Sequence, residues 1–153
     1  MEKNTAQKID ETDLDIVRLL WDGRTPYSEI AAKLGLATNS VRNRVNQMIE
    51  NGVLQIIGLI NPEAIEGHHA AYIGIKLLPQ KIKSAHKEIN ALRGVVAATQ
   101  VSGRFDIIAL VMFNKTYTFR HFYEEHLSKV DGLLSSETFF AVPGDGFQLR
   151  YVL

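Results

Sequence analysis

The sequence predicts an α+β chain in two parts, a helical N-terminal part followed by a βαββαβ C-terminal part. Three observations carry this. As far as Asn51 the apolar residues recur at helical spacing, and from Ala70 the pattern switches to strand-like runs separated by two helical stretches. "LRGVV" at 92–96 and "VDGLL" at 130–134 echo each other, each running from a helix end through Gly into a strand. The 153 residues fit one domain or two small ones, and 46% hydrophobic with 22% charged residues is ordinary for a globular protein. The expected divisions are 9–52, a hinge strand and linker over 53–69, and 70–153.

Thr12 and Asp15 suit a capping-box variant, with Ile16, Val17, Leu19, Leu20 and Trp21 forming a buried first helix that ends near Gly23. Trp21 is expected in the core or at its edge. Ile30 and Leu34 share one face of a second helix, and Gly35 ends it, since a left-handed residue there has no Cβ cost. Ala31 is small enough to let the next helix cross closely. Thr38 is expected to cap that third helix, Val41, Val45, Met48 and Ile49 to form its inner stripe, and Gly52 to stop it. A short helix, a Gly turn and a longer helix make a helix-turn-helix, here of winged type. "VLQIIGLINPEAI" then predicts a strand over Val53–Ile60, broken by Asn61-Pro62.

In the C-terminal part "AAYIGIKLL", "VVAATQVSG", "FDIIALVMF" and "LLSSETFFAV" predict strands, the last ended by Pro143-Gly144. "PQKIKSAHKEINALRG" predicts a helix with Ile82, Ala85, Ile89 and Leu92 inward. "NKTYTFRHFYEEHLSKVDG" predicts another, with Phe119, Phe122, Tyr123, His126, Leu127 and Val130 inward. This order is the ferredoxin-like unit. Its strands are apolar on both faces: Ile107, Ala109 and Val111 on one side of the third, Ile108, Leu110 and Met112 on the other. Two helices cover one face only, and a wet face would alternate with polar residues. A second copy of the sheet is the economical cover, making a homodimer; the alternative is the chain's own N-terminal segment. The tail "PGDGFQLRYVL" has no readable role.

The outward face of the third helix points to nucleic acid. With Val41 and Val45 inward, Thr38, Asn39, Arg42, Asn43 and Asn46 point out, without a carboxylate among them. Arg pairs with guanine O6/N7 and Asn with adenine N6/N7 in the major groove, and Arg44, to one side, is placed for a phosphate. The plain alternative is a polar face of an ordinary three-helix core. Residues 1–55 hold seven Lys or Arg and eight Asp or Glu, a formal −1 that weighs against DNA. The acids Asp10, Glu11, Asp13, Asp15 and Asp22 cluster early, however, and from Lys33 to Arg44 every charge is positive.

Other chemistries find little support. His121 and His126 are five apart, wrong for two ligands on one helix face; His126 is better read as a hydrogen-bonded core residue, and His68-His69 lacks a carboxylate at ligand spacing. There is no Cys and no Gly-x-Ser-x-Gly nucleophile turn, and "PGDGF" opens no helix as a phosphate loop must. No metal, cofactor or catalytic residue is expected. "MEKNTAQKIDET" lacks the apolar core of a signal peptide and no apolar run is long enough for a membrane span, so the expectation is cytoplasmic and membrane-free.

The chain resembles the Lrp/AsnC family, the feast/famine transcriptional regulators. "IDETDLDIVRLLWDGRTPYSEIAAKLGLATNSVRNRVNQMIENGVLQIIGLINPEAI" is similar to the family's N-terminal module and hinge strand, and "VAATQVSGRFDIIALV" with "GLLSSETFFAV" to its ligand-responsive module. The resemblance implies a DNA-binding domain joined by a strand to a dimerising ferredoxin-like domain. It also implies dimers assembled into larger rings or discs, with small effectors, commonly amino acids, between dimers. Two positions depart from the family: Ala37 stands where Ser is frequent before the recognition helix, and Arg104 stands in the loop between the central strands.

Within "VSGRFD", Gly103 frees the backbone to turn, so that exposed amides can hold a carboxylate. Asp106 is placed for an ammonium group, and Ser136 and Thr138 offer hydroxyls on one face of the last strand. With Ser102 these make an amino-acid site, while Arg104 either neutralises Asp106 or recruits an acidic effector side chain. The bland reading is a Gly turn and an Asp cap that any hairpin needs. Two further functions stay open. An oligomeric small-molecule sensor without DNA binding would give no gel shift. A tetrapyrrole decarboxylase, an activity some proteins of this two-domain plan have, would show a tetrapyrrole shift on titration.

Overall fold

The computed structural model describes residues 9–21, 23–142, 144 and 148–153. The polar segment before Ile9, Asp22 of the early acidic cluster, the strand stop at Pro143 and tail residues 145–147 lie outside them. The chain divides into two compact units, Met1–Ile57 and Gly58–Leu153.

The first unit holds α1 (Glu11–Leu19), α2 (Tyr27–Leu34) and α3 (Thr38–Glu50). The capping box sits two residues earlier than expected. Asp10 is the cap, its carboxylate accepting the Asp13 N–H at 2.8 Å while Asp13 accepts the Asp10 N–H at 3.1 Å. Asp and Thr are both good caps, but Asp10 has a carboxylate partner three residues on that can return the bond. Ile16, Leu20, Ile30, Ala31, Val41, Val45 and Met48 form the core. Trp21 is 93% exposed, against expectation. The helix has ended before it, so Trp21 leaves the periodicity that would have turned it inward. Val17 and Ile49 are likewise exposed, because the seam between the helices is narrower than the apolar stripes. Gly35 is left-handed (φ 66°, ψ 31°) and the Leu36 N–H returns to the Ala31 carbonyl at 2.9 Å, closing α2 as predicted.

Residues 53–60 form no strand. Only Ile60 pairs, through an isolated bridge to Leu149, and Val53, Ile56, Ile57 and Leu59 stay exposed. A strand exists only where another edge accepts its ladder, and a single chain offers one residue of it.

The second unit is a four-stranded antiparallel sheet, order β2-β3-β1-β4, built from β1 (His69–Leu77), β2 (Val95–Gln100), β3 (Ile107–Phe113) and β4 (Leu133–Phe140). The helices α4 (Ile82–Ala91) and α5 (Phe119–Glu125) are shorter than expected, each with a 3-10 turn beside it, at Pro79–Lys81 and Leu127–Lys129. The Asn114 side chain accepts from the Thr116 and Tyr117 N–H groups, which folds 114–117 into a turn instead of a helix. Gly94 and Gly132, the two echoed glycines, have φ of 82° and 84°, the same left-handed exit from helix to strand.

Ala71, Ile73, Ile75, Ile107, Ala109 and Val111 are fully buried beneath the two helices, with Ile89, Phe122 and Leu127. Tyr123, expected inward, is exposed, and His126 is half-buried beside the Tyr117 and Phe122 rings. On the other face the tail acquires a role: Leu149, Val152 and Leu153 pack over Ala70 and Met112. The rest of that face stays open, with Tyr72, Ile108 and Phe139 exposed. The Phe105 ring lies against Gly74, where a Cβ would come within 2.5 Å of the ring.

Asp106 fastens β3 to β1. Its N–H donates to the Ile75 carbonyl at 2.9 Å, and its carboxylate accepts the Leu77 N–H and the Lys76 ammonium, each at 2.9 Å. The Leu77 N–H first, and Lys76 second, hold this carboxyl below the usual carboxylate range. A carboxyl lowered in the fold contributes stability above its unfolded value, and loses it as pH falls through the folded one. The stability deficit of Asp106→Asn, read by urea unfolding, should therefore be full at neutral pH and shrink toward zero as the solution is acidified below the carboxylate range. A deficit that stays constant with pH contradicts this role for the charge.

Candidate nucleic-acid interface and ligand loop

α3 presents two faces. Val41, Val45 and Met48 are buried, while Asn39, Arg42, Asn43 and Asn46 are exposed and Thr38 is half-buried beside them. No acid stands in the first turn. Arg42 donates to the Asn39 Oδ1 at 3.3 Å and forms no ion pair among the described residues, so its guanidinium remains available. Thr38 does not cap. Ala37 occupies the cap position with extended backbone and no side-chain acceptor, and Thr38 is the first helical residue. The first-turn N–H groups of α3 therefore lack a side-chain partner at the cap.

Arg44 is placed differently from expectation. Its Nη1 donates to Asp10 Oδ2 and to Asp13 Oδ1, both at 2.8 Å, tying α3 to the start of α1. The Asp13 N–H first, and then Arg44, hold the Asp10 carboxyl below the usual range, and the two carboxylates raise the Arg44 guanidinium further. The sequence carried the ingredients of this pairing in the early acidic cluster and the Arg. It gave no sign that a residue of the third helix would close over the first.

In the second unit the "VSGRFD" loop joins β2 to β3, closed by the Val101 N–H to the Asp106 carbonyl at 3.0 Å. Gly103 sits at φ 137°, which L side chains rarely adopt, with open space where a Cβ would be. The N–H groups of Ser102, Gly103 and Arg104 make no backbone hydrogen bond among the described residues. Arg104 does not neutralise Asp106; it pairs with Glu137 and lies over the Phe105 ring at 5.4 Å, while Lys76 takes Asp106. Neither Lys76 nor Glu137 stood out in the sequence.

Ser136 pairs with Ile75 and Thr138 with Ile73, so both share the helix-covered face of the sheet. Glu137, one residue between them, points to the opposite face with Arg104. Within one chain the loop and the two hydroxyls are thus on different sides of β4, and do not converge. Away from this loop, His86 and Asn90 of α4 reach the edge strand. Asn90 accepts the Ala98 N–H at 3.0 Å and His86 Nε2 meets the Ala98 carbonyl at 3.0 Å, blocking that edge to further strand pairing. Among the described residues no group of three or more His, Asp or Glu is placed to hold a metal ion, and no helix is long and apolar enough to cross a membrane.

Residues 9–49 match the AsnC-type helix-turn-helix domain and residues 70–143 the Lrp/AsnC ligand binding domain. The chain is 35% identical over 133 residues to an uncharacterised HTH-type transcriptional regulator of Pyrococcus abyssi, covering 86% of this chain and 84% of that protein. In fold it is similar to AsnC of E. coli, at TM-score 0.71 and 24% identity, covering 92% of this chain and 97% of that one. It is similar also to a transcriptional regulator of Neisseria meningitidis solved as a complex with L-methionine, at TM-score 0.69 and 19% identity, covering 95% and 96%. With both domain types matched in order on the two units, this chain belongs to the Lrp/AsnC family and is a transcriptional regulator with an AsnC-type helix-turn-helix domain and an Lrp/AsnC ligand-binding domain.

Proposed function

We propose that this regulator reads duplex DNA sequence through the exposed face of α3, works in the cytoplasm as a homodimer that assembles further, and is modulated by a small effector, an amino acid. The observation that carries the DNA reading is the α3 face itself. Asn39, Arg42, Asn43 and Asn46, with Thr38, present amide, guanidinium and hydroxyl groups with no carboxylate in the first turn. These groups match base edges in the major groove, and the uncapped N–H groups at the start of α3 suit a backbone phosphate.

A second copy is the cover we assign to the open sheet face. Tyr72, Ile108 and Phe139 are 42%, 37% and 50% exposed on one contiguous antiparallel surface. Removing such partly exposed side chains from water stabilises by about 1 kcal/mol each, and a two-fold contact counts each residue twice.

The effector reading rests on the open N–H groups of Ser102, Gly103 and Arg104, which suit a carboxylate, with Asp106 and Arg104 as the charges beside them. Ser136 and Thr138 lie on the other side of β4 from this loop in one chain, so a ligand touching both sets would take them from different copies. The complex of the Neisseria meningitidis relative with L-methionine supports an amino acid as the class. Arg104, able to leave Glu137 for a ligand acid, favours an acidic or polar one.

Three measurements test these parts. On the duplex enriched from random DNA, Arg42→Ala should lose about 1–3 kcal/mol of discrimination at one base pair; unchanged affinity and selectivity would remove α3 as the reading helix. Light scattering at micromolar concentration should find a dimer or larger for the native protein and a shift to monomer for Ile108→Asp; a native monomer contradicts the covered-sheet proposal. Calorimetry with the twenty amino acids should show heat with at least one, weakened roughly tenfold by Arg104→Ala if the side chain is acidic; no heat with any of them leaves the loop as structure only.

A further inference from the structure

We propose that Arg44 is a positioning residue of the recognition helix, not a phosphate contact: its two hydrogen bonds, to Asp10 and to Asp13, fix the rotation of α3 against α1, and through it where Arg42 and Asn43 point. The inference rests on the DNA reading of α3 above and deepens it. Three observations carry it.

Asp13 is the one buried charged residue among the described residues, 5% exposed. A buried carboxylate persists only with partners for its oxygens, and its partners are the Asp10 N–H and Arg44 Nη1. The second observation is where the ion pairs of this unit run. Arg18 pairs with Glu11 and Asp15, and Lys33 pairs with Glu29, each within its own helix and with both partners well exposed. Arg44, by contrast, bridges two helices, reaching 31 and 34 positions back along the chain. Third, Arg44 immediately precedes the fully buried Val45 and follows Arg42 and Asn43. Valine side chains in a seam resist sliding but tolerate some rolling, whereas a charged bridge beside them resists the roll. A helix rotated by 20°, with side chains ending about 5–6 Å from its axis, moves their tips by about 2 Å. Bidentate bonds to a base edge do not survive that displacement.

The two roles for Arg44 separate on salt dependence. Loss of a phosphate contact weakens all sequences alike and lowers the slope of log K against log salt by about 0.9. Loss of a strut misaims the base-reading groups while every phosphate contact remains. The test uses the full-length protein, with circular dichroism confirming the fold of each variant, an enriched duplex, a scrambled duplex, and titrations from low to moderate salt. For Arg44→Met we expect the enriched-to-scrambled affinity ratio to fall roughly tenfold with the salt slope unchanged, and Arg44→Lys to restore most of the ratio. Should Arg44→Met fail to fold, Asp10→Asn serves instead, because Asn caps a helix as well as Asp does and only one carboxylate of the bridge is lost. Its ratio should fall two- to threefold, again at constant slope.

A slope lower by about one with an unchanged ratio makes Arg44 a phosphate contact and overturns the proposal while leaving the DNA reading intact. A lower unfolding temperature with both ratio and slope unchanged makes the bridge scaffold alone and also overturns it. If the native protein enriches no duplex, the DNA reading itself fails, and this inference with it.

Discussion

A sheet whose central strands are apolar on both faces must be covered twice, and most of the second unit follows from that requirement. α4 and α5 bury Ile73, Ile75, Ile107, Ala109 and Val111 completely. They cannot wrap to the other side, where Gly74, Ile108 and Leu110 occur in the same strands. The chain covers one end of that side with Leu149 and Val152 over Met112 and one stretch with the Phe105 ring over Gly74. What remains open is the middle, Tyr72, Ile108 and Phe139. The β2 edge is managed separately: Asn90 and His86 satisfy the outward backbone groups of Ala98, so that this strand does not invite another.

The first unit works under a different constraint. Three short helices bury a small core, and the rotation of each about its axis is set by few contacts. A carboxylate buried at the start of α1 and a guanidinium from the middle of α3 add a directional restraint to the non-directional packing of Ile16, Ile30, Val41 and Val45. The same carboxylate closes the capping box of α1, so the end of one helix and the aim of another depend on one side chain. The outward amides of α3 owe their placement to the inward pair as much as to their own spacing.

What the sequence disclosed follows physical lines. Apolar periodicity located all three N-terminal helices and the βαββαβ order, because burial is a property of residue type repeated at a fixed interval. The Gly35 stop and the twin exits at Gly94 and Gly132 were legible because a left-handed backbone has a residue preference. The inward position expected for Trp21 fails because hydrophobicity gives no warning that the helix stops two residues before it. The expected strand over 53–60 failed because pairing belongs to two segments, and only Ile60 has its partner in this chain. The exposed members of the α3 face were readable from the heptad of buried positions alone. The partners of Arg44, Arg104 and Asp106 were not, since each lies more than twenty residues away and a charge in a sequence does not name its counterion.

In the proposed complex α3 lies in a major groove with Arg42 at a guanine. Methylation interference on a duplex enriched by the native protein tests it at the atom concerned, because the added methyl group sits on guanine N7, the acceptor an Arg fork requires. Binding should be blocked by methylation at two guanines about one helical turn apart, one for each recognition helix of a dimer. Interference confined to minor-groove adenine N3, or none anywhere along the bound duplex, would contradict it.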